Sequence, residues 1–159
     1  MNRFELHMAV SLLNAAYADC IDNDRLEAWP DFFTSDCFYS ITTQENIARG
    51  WEAGLIFADS QGMLKDRVSG LREANIYERH SYRHIVSMPA AIEAVDQKTV
   101  RTRTPFVVYR VMRNGSSEVF VTGCYQDELR LQDNDGLKIA RRVVVCDSSV
   151  FDILLAIPL

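Results

Sequence analysis

The stretch that most restricts the fold runs from Thr99 to Leu131. Thr99 to Met112 is dense in β-branched and aromatic residues and reads as one long strand. Asn114-Gly115 follows, a pair that tolerates positive φ at both positions and so marks a tight hairpin turn. The return strand alternates. Val119, Val121, Tyr125, Leu129 and Leu131 face one way, and Glu118, Thr122, Gln126, Glu128 and Arg130 face the other. Pro105 has no N–H to give, which suggests an edge or a bulge in the first strand. Gly123 breaks the alternation and marks a second candidate bulge. Asp133-Asn134-Asp135-Gly136 is the next turn, and Leu137, Ile139, Val143 and Val145 begin a last strand.

The chain before this meander is helical. Leu6, Val10, Leu13, Tyr17 and Cys20 recur at spacings of three and four and share one helix face. Asp22-Asn23-Asp24 stops that helix and can cap a short second one, Arg25 to Trp29, closed by Pro30. Phe32 and Phe33 plug the end of the core. Cys37 to Thr43 reads as a strand, and Gln44 to Gly50 as a polar loop. Asp59-Ser60 caps a helix with Met63, Leu64, Val68 and Leu71 on one side, and His84 to Met88 is a strand stopped by Pro89. Helices first and an antiparallel meander after them predict an α+β fold, with helices packed on one face of a curved sheet and residues 1–159 as a single domain.

Several function classes drop out. A net charge of −5 makes a poor phosphate-backbone binder, so no nucleic-acid partner is expected. No apolar run reaches the ~18 residues of a membrane helix. The longest, Val150 to Leu159, is interrupted by Asp152. Glu5 and His7 stand where the apolar core of a secretory signal would be, which points to the cytoplasm and no membrane association. Cys20, Cys37, Cys124 and Cys146 lie far apart and are expected to be reduced and mostly buried. Glycine-rich nucleotide loops and a nucleophile elbow are missing.

Three constellations could carry chemistry. Tyr77 to His84 is the most polar-aromatic segment; on a strand His80, Tyr82 and His84 share a side, and with Glu78 or Asp36 they could ligate a metal. Otherwise the segment serves association or folding. Asp36, Tyr39 and His84 could form an acid–base set in a cone-shaped pocket, as in an isomerase, a dehydratase or a small-molecule-binding protein. Arg67, Arg72, Arg79 and Arg83, interleaved with Asp66, Glu73 and Glu78, form either a solvated face or an ion-pair network between subunits.

Trp29-Pro30-Asp31-Phe32-Phe33-Thr34, Asp66-Arg67-Val68 with Leu71-Arg72, Arg83-His84-Ile85-Val86-Ser87 and Val145-Cys146-Asp147-Ser148 resemble, in that order, the small (β) subunits of bacterial aromatic-ring-hydroxylating dioxygenases. Ala58-Asp59-Ser60-Gln61 and the run Leu71 to His80 resemble the terephthalate dioxygenase small subunits in particular; salicylate 5-hydroxylase small subunits share the Trp29 to Phe33 element. The resemblance implies an NTF2-like (SnoaL-like) cone and an α3β3 hexamer. It also implies a partner large subunit holding a Rieske [2Fe–2S] cluster and a mononuclear Fe(II), with a reductase supplying electrons from NAD(P)H. The substrate implied is a monocyclic aromatic acid, terephthalate first and salicylate or benzoate types second. A Rieske centre and a facial-triad iron together need more histidines than the three this chain has. The expectation is therefore a supporting chain with no catalytic, cofactor-binding or metal-binding residues of its own.

Overall fold

The computed structural model describes residues 2–51, 54–74, 80–133, 136–150 and 157–159. Helix α1 spans Arg3–Asp22 and opens on a capping box. The Asn2 side chain accepts from the Glu5 N–H, and the Glu5 carboxylate accepts from the Asn2 N–H, so two otherwise orphaned donors are satisfied. Val10, Tyr17 and Cys20 turn inward as their spacing requires, with Leu6 and Leu13 packed beside them. A 3-10 helix, Leu26–Phe32, follows, and Pro30 lies inside it rather than closing it. The expected acidic cap is not used: Arg25 holds the N-cap position without a side-chain bond. Asp22 and Asp24 are committed elsewhere, to His84 and Arg72.

The remaining elements are β1 Phe33–Thr43, α2 Gln44–Ala48, β2 Ile56–Ala58, α3 Gln61–Ala74, β3 His80–Val86, β4 Ala91–Ala94, β5 Thr99–Met112, β6 Ser117–Leu131 and β7 Leu137–Cys146. The polar loop expected after Thr43 contains α2, because the Thr43 hydroxyl accepts from the Asn46 N–H and starts a turn of helix. Strand β3 starts at His80, four residues before its expected start, because β5 is long enough to offer Met112 as a partner. Ser60 caps α3 as expected, accepting from the Met63 N–H. No helix among the described residues is long and apolar enough to cross a membrane.

The strands form one sheet in the order β2-β1-β7-β6-β5-β3, with β4 also pairing β5. It is mixed rather than antiparallel. Hairpins force neighbours to run in opposite directions, but no hairpin joins β1 to β7, and these two pair in parallel. Extra residues bend the strands at Phe120 in β6 and Ala140 in β7, and the β1 register slips between Phe33 and Phe38.

The Phe120 bulge corrects the expected alternation. Before it, Phe120 turns inward to stack on Tyr82 at 5.2 Å, and Val119 faces solvent. Gly123 is not a bulge but a close approach. A β-carbon there would sit 2.3 Å from the Val145 carbonyl oxygen and 3.1 Å from the Phe106 ring. Pro105 lies where the outer neighbour of β5 changes from β3 to β4, with Val86 paired to Phe106 and Ala91 to Arg103.

The inner face of the sheet is covered by α1, the 3-10 helix and residues 157–159. Trp29, Phe33 and Tyr39 meet edge to face at 5.2–5.9 Å, and Phe106 stacks on Tyr125 at 4.4 Å. Each such pair contributes ~0.5–1.5 kcal/mol beyond its buried area.

Candidate functional site

Inward-facing residues of β6 and β7 place two charges in the core. Arg142 and Asp127 are both fully buried as side chains. Arg142 Nε and Nη2 donate to the two Asp127 carboxylate oxygens at 2.8 and 2.7 Å, and Nη2 also donates to Asn14 Oδ1 at 2.5 Å. Tyr17 and Tyr125 sandwich the guanidinium at 4.2 and 4.1 Å. A buried ion of this kind persists only when its partners are in place. This one joins α1 to the centre of the sheet.

Tyr39 is the second inner-face group. Its hydroxyl donates to the Leu159 carbonyl oxygen and accepts from the Leu159 N–H, both at 3.2 Å, while Tyr17 donates to the same carbonyl at 2.7 Å. Burial pushes the Tyr39 hydroxyl well above its ordinary pKa. It is engaged by the chain's own backbone and holds its proton.

His84 pairs with Asp22 instead of with Tyr39 or Asp36. Its Nδ1 lies 2.6 Å from Asp22 Oδ1, and its backbone N–H donates to Asp22 Oδ2 at 2.8 Å. A carboxylate at the C-terminal end of α1 opposes the helix dipole. The imidazole, the backbone N–H and Arg83 at 3.9 Å offset that penalty and tie α1 to β3.

Asp36 lies on the surface, held by Arg130 at 2.9 Å, which lowers its pKa. The acid–base set of Asp36, Tyr39 and His84 therefore does not assemble. β1 and β3 are separated by three strands along the sheet, and each residue is spoken for by a different partner.

The metal arrangement fails for a related reason. His80, Tyr82 and His84 do line one side of β3, with ring centroids 5.2 and 6.1 Å apart. Asp36 is nevertheless committed to Arg130, and Glu78 lies outside the described residues. Among the described residues no group of three His, Cys, Asp or Glu side chains converges.

The arginine cluster resolves partly within the chain. Arg72 clamps Glu27 and Asp24 at 2.7 and 2.8 Å, fastening α3 to the segment after α1. Arg79 and Glu78 fall outside the described residues. The cysteines are free thiols. Burial pushes Cys37 up to about 11 and Cys146 up to about 12, so neither is a nucleophile near neutral pH.

The outer face of the same sheet is a trough of about 1310 Å³. Cross-strand register builds its floor. Arg101, Glu128, Arg141 and Phe38 form one row across β5, β6, β7 and β1. Arg103, Gln126, Val143 and Ser40 form the next. Ile47, Trp51 and Phe57 wall one side, and Ala91 to Glu93 wall the other. Trp51 and Phe57 are 56% and 55% exposed, unusual for rings of that size. Sequence reasoning missed this surface. Its one local signal was the alternation of Arg101 and Arg103 on β5; Arg141 and the aromatic wall reach it only through strand order. The Asp22 partner of His84 was missed too, since nothing local links residues 62 apart.

A cone of helices on a bent mixed sheet with this topology defines the NTF2-like class. A solved structure assigned as a scytalone dehydratase from Novosphingobium aromaticivorans shares that fold, at 17% identity and a TM-score of 0.69 over 96% of this chain and 91% of that one.

The family is more specific. The family model described as "Ring hydroxylating beta subunit" matches residues 16–153. The beta 1 subunit of the terminal oxygenase component of terephthalate 1,2-dioxygenase from a Comamonas species is 49% identical over 150 residues, covering 94% of this chain and 96% of that one. The anthranilate 1,2-dioxygenase small subunit of Burkholderia cepacia is 40% identical, covering 98% and 93%. A crystal structure assigned as the beta subunit of an aromatic-ring-hydroxylating dioxygenase from N. aromaticivorans superposes with a TM-score of 0.88 at 34% identity, covering 97% of each chain. The chain belongs to the ring-hydroxylating dioxygenase beta subunits.

Proposed function

We propose that the chain is the non-catalytic small subunit of a Rieske-type oxygenase that hydroxylates a monocyclic aromatic acid in the cytoplasm, with terephthalate the first choice and salicylate or benzoate types second. The carrying observation is the 49% identity, over 94% of the chain, to a terephthalate 1,2-dioxygenase beta subunit. The anthranilate relative carries another ring acid in its name, which supports the substrate class. The assembly is an α3β3 hexamer, fed by an NAD(P)H-dependent reductase.

The donor set supports the supporting role. A Rieske cluster takes two cysteines and two histidines, and a facial-triad iron takes two further histidines with a carboxylate. His7, His80 and His84 are fewer than that, and His84 already serves Asp22. The residues here do not fit either group, so the iron chemistry belongs to the large subunit. What this chain supplies is a rigid body: an inner face closed by its own side chains and an outer face free for contact.

The test is a paired assay. The chain alone and the chain co-expressed with its large subunit are purified and supplied with reductase and NADH. Terephthalate, phthalate, isophthalate, benzoate, salicylate and naphthalene are offered in turn, and O2 uptake is followed with hydroxylated product. Only the complex is expected to turn over, and on ring acids. Iron-dependent hydroxylation by the lone chain would overturn the supporting role, and turnover of naphthalene with none of the acids would overturn the substrate class.

A further inference from the structure

We infer that the outer trough is the seat of the large subunit, which enters it with carboxylates set among apolar side chains. This rests on the small-subunit reading and names the surface and the partner chemistry.

Charge bookkeeping across the floor carries the inference. Arg101 faces Glu93 on one neighbouring strand and Glu128 on the other, so its charge is answered within the chain. Arg141 has Glu128 as its register neighbour on β6 but makes no ion pair with it. It lies over the Phe38 ring at 4.3 Å. Arg103 has Gln126 and Ala91 as its register partners. Neither guanidinium has a carboxylate at ion-pair distance among the described residues. Arg101, Arg103 and Arg141 against Glu93 and Glu128 leave an excess of one positive charge, on a chain of net charge −5, in a concave surface walled by Ile47, Trp51 and Phe57. Aromatic rings and arginine are the residues that interface cores favour.

The same charges select the occupant. The chain has an apolar ridge of its own that could fill a trough: Phe4, Met8 and Leu12 stand exposed at four-residue spacing on α1. A second copy offering that ridge would bring Glu5, which is closed into the Asn2 capping box, and Asp19, which already pairs with Arg25. Arg103 and Arg141 would then be desolvated without a carboxylate from the occupant, which disfavours that occupant. A carboxylate-bearing segment of the large subunit removes that cost, and guanidinium geometry suits it.

The experiment co-expresses the chain with its large subunit, tagged on the large subunit, and measures small subunit retained per large subunit. The chain variants are the wild type, the double variant R103E/R141E, and the ridge control Met8→Ser with Leu12→Ser. Circular dichroism and the thermal midpoint of each purified chain establish that it folds. The trough variant is expected to fold like wild type and to lose retention at least ~10-fold, while the ridge control is retained. Wild-type retention of R103E/R141E would overturn the inference. So would retention by the large subunit with loss of self-association, which would give the trough to a second copy. Failure of the wild-type chain itself to co-purify would strike the small-subunit reading first, and is distinct from both.

Discussion

The two faces of the sheet draw on alternate residues of the same strands, yet they end in opposite states. On the inner face Arg142 is paired with Asp127, packed between two tyrosines and fully buried. One residue earlier on the same strand, Arg141 faces outward, stacks on Phe38 and has no carboxylate partner among the described residues. Two adjacent arginines therefore do different work. Inside, the Tyr17 and Tyr39 hydroxyls are engaged by the backbone of Leu159, and the Arg142 charge by Asp127. Outside, it leaves aromatic and cationic groups unanswered. The inner face is packed by this chain's own groups, and the outer face is the one with aromatic and cationic groups exposed.

The largest expected effects fall on the inner face. Asp127→Ala strands a buried guanidinium and should destabilise the chain by about 3–5 kcal/mol in denaturant unfolding. Replacing both partners, Asp127→Leu with Arg142→Met, should recover much of that loss, because the penalty comes from the orphaned charge. If the single and double variants unfold alike, the pair is not what holds α1 to the sheet. Gly123→Ala drives a methyl into the Val145 carbonyl and should cost about 3 kcal/mol, the upper end of overpacking effects.

Much of the inner face could be read in the sequence. Val10, Tyr17 and Cys20 follow helical spacing, and Tyr125 and Leu129 follow strand alternation, because a single buried face imposes one period on a whole element. Bulges defeat that logic. The extra residue at Phe120 reverses the side-chain direction before it, so Val119 was expected inward and lies outward. The parallel β1–β7 pairing was equally hidden, since it joins segments far apart in sequence. The outer trough depends on that pairing and on strand order, so its residues carried almost no local signal. Asp36, Tyr39 and His84 have the right chemistry for catalysis, but composition cannot show that Arg130, Leu159 and Asp22 claim them.

Smaller effects are expected on the outside. Trp51→Ala and Phe57→Ala should each change the stability of the isolated chain by less than ~0.5 kcal/mol, as for other exposed positions. A loss several times larger would mean these rings are part of the core, and the contrast between faces would collapse.

The smallest expected effect is in the acid limb. Arg72 holds the Glu27 carboxyl at about 2, below its ordinary 4.5. A depressed folded-state pKa stabilises above the unfolded value, and that stabilisation is lost as pH falls from about 4.5 to about 2. The pair is exposed, so the gain is small and salt-sensitive. Arg72→Met should flatten stability over that window by lowering it slightly at neutral pH, with little change at the acid end. An unaltered acid limb would assign it to other carboxylates.

The contrast between the faces is tested most directly by hydroxyl-radical footprinting of aromatic side chains, on the isolated chain and on the assembled oxygenase. Tyr17, Tyr39 and Tyr125 should resist labelling in both states, because all three are fully buried within this chain. Phe57 and Trp51 should label readily in the isolated chain and become protected in the assembly. Equal labelling of Trp51 and Phe57 in both states, or strong labelling of the inner tyrosines in the isolated chain, would contradict a closed interior and a working outer face.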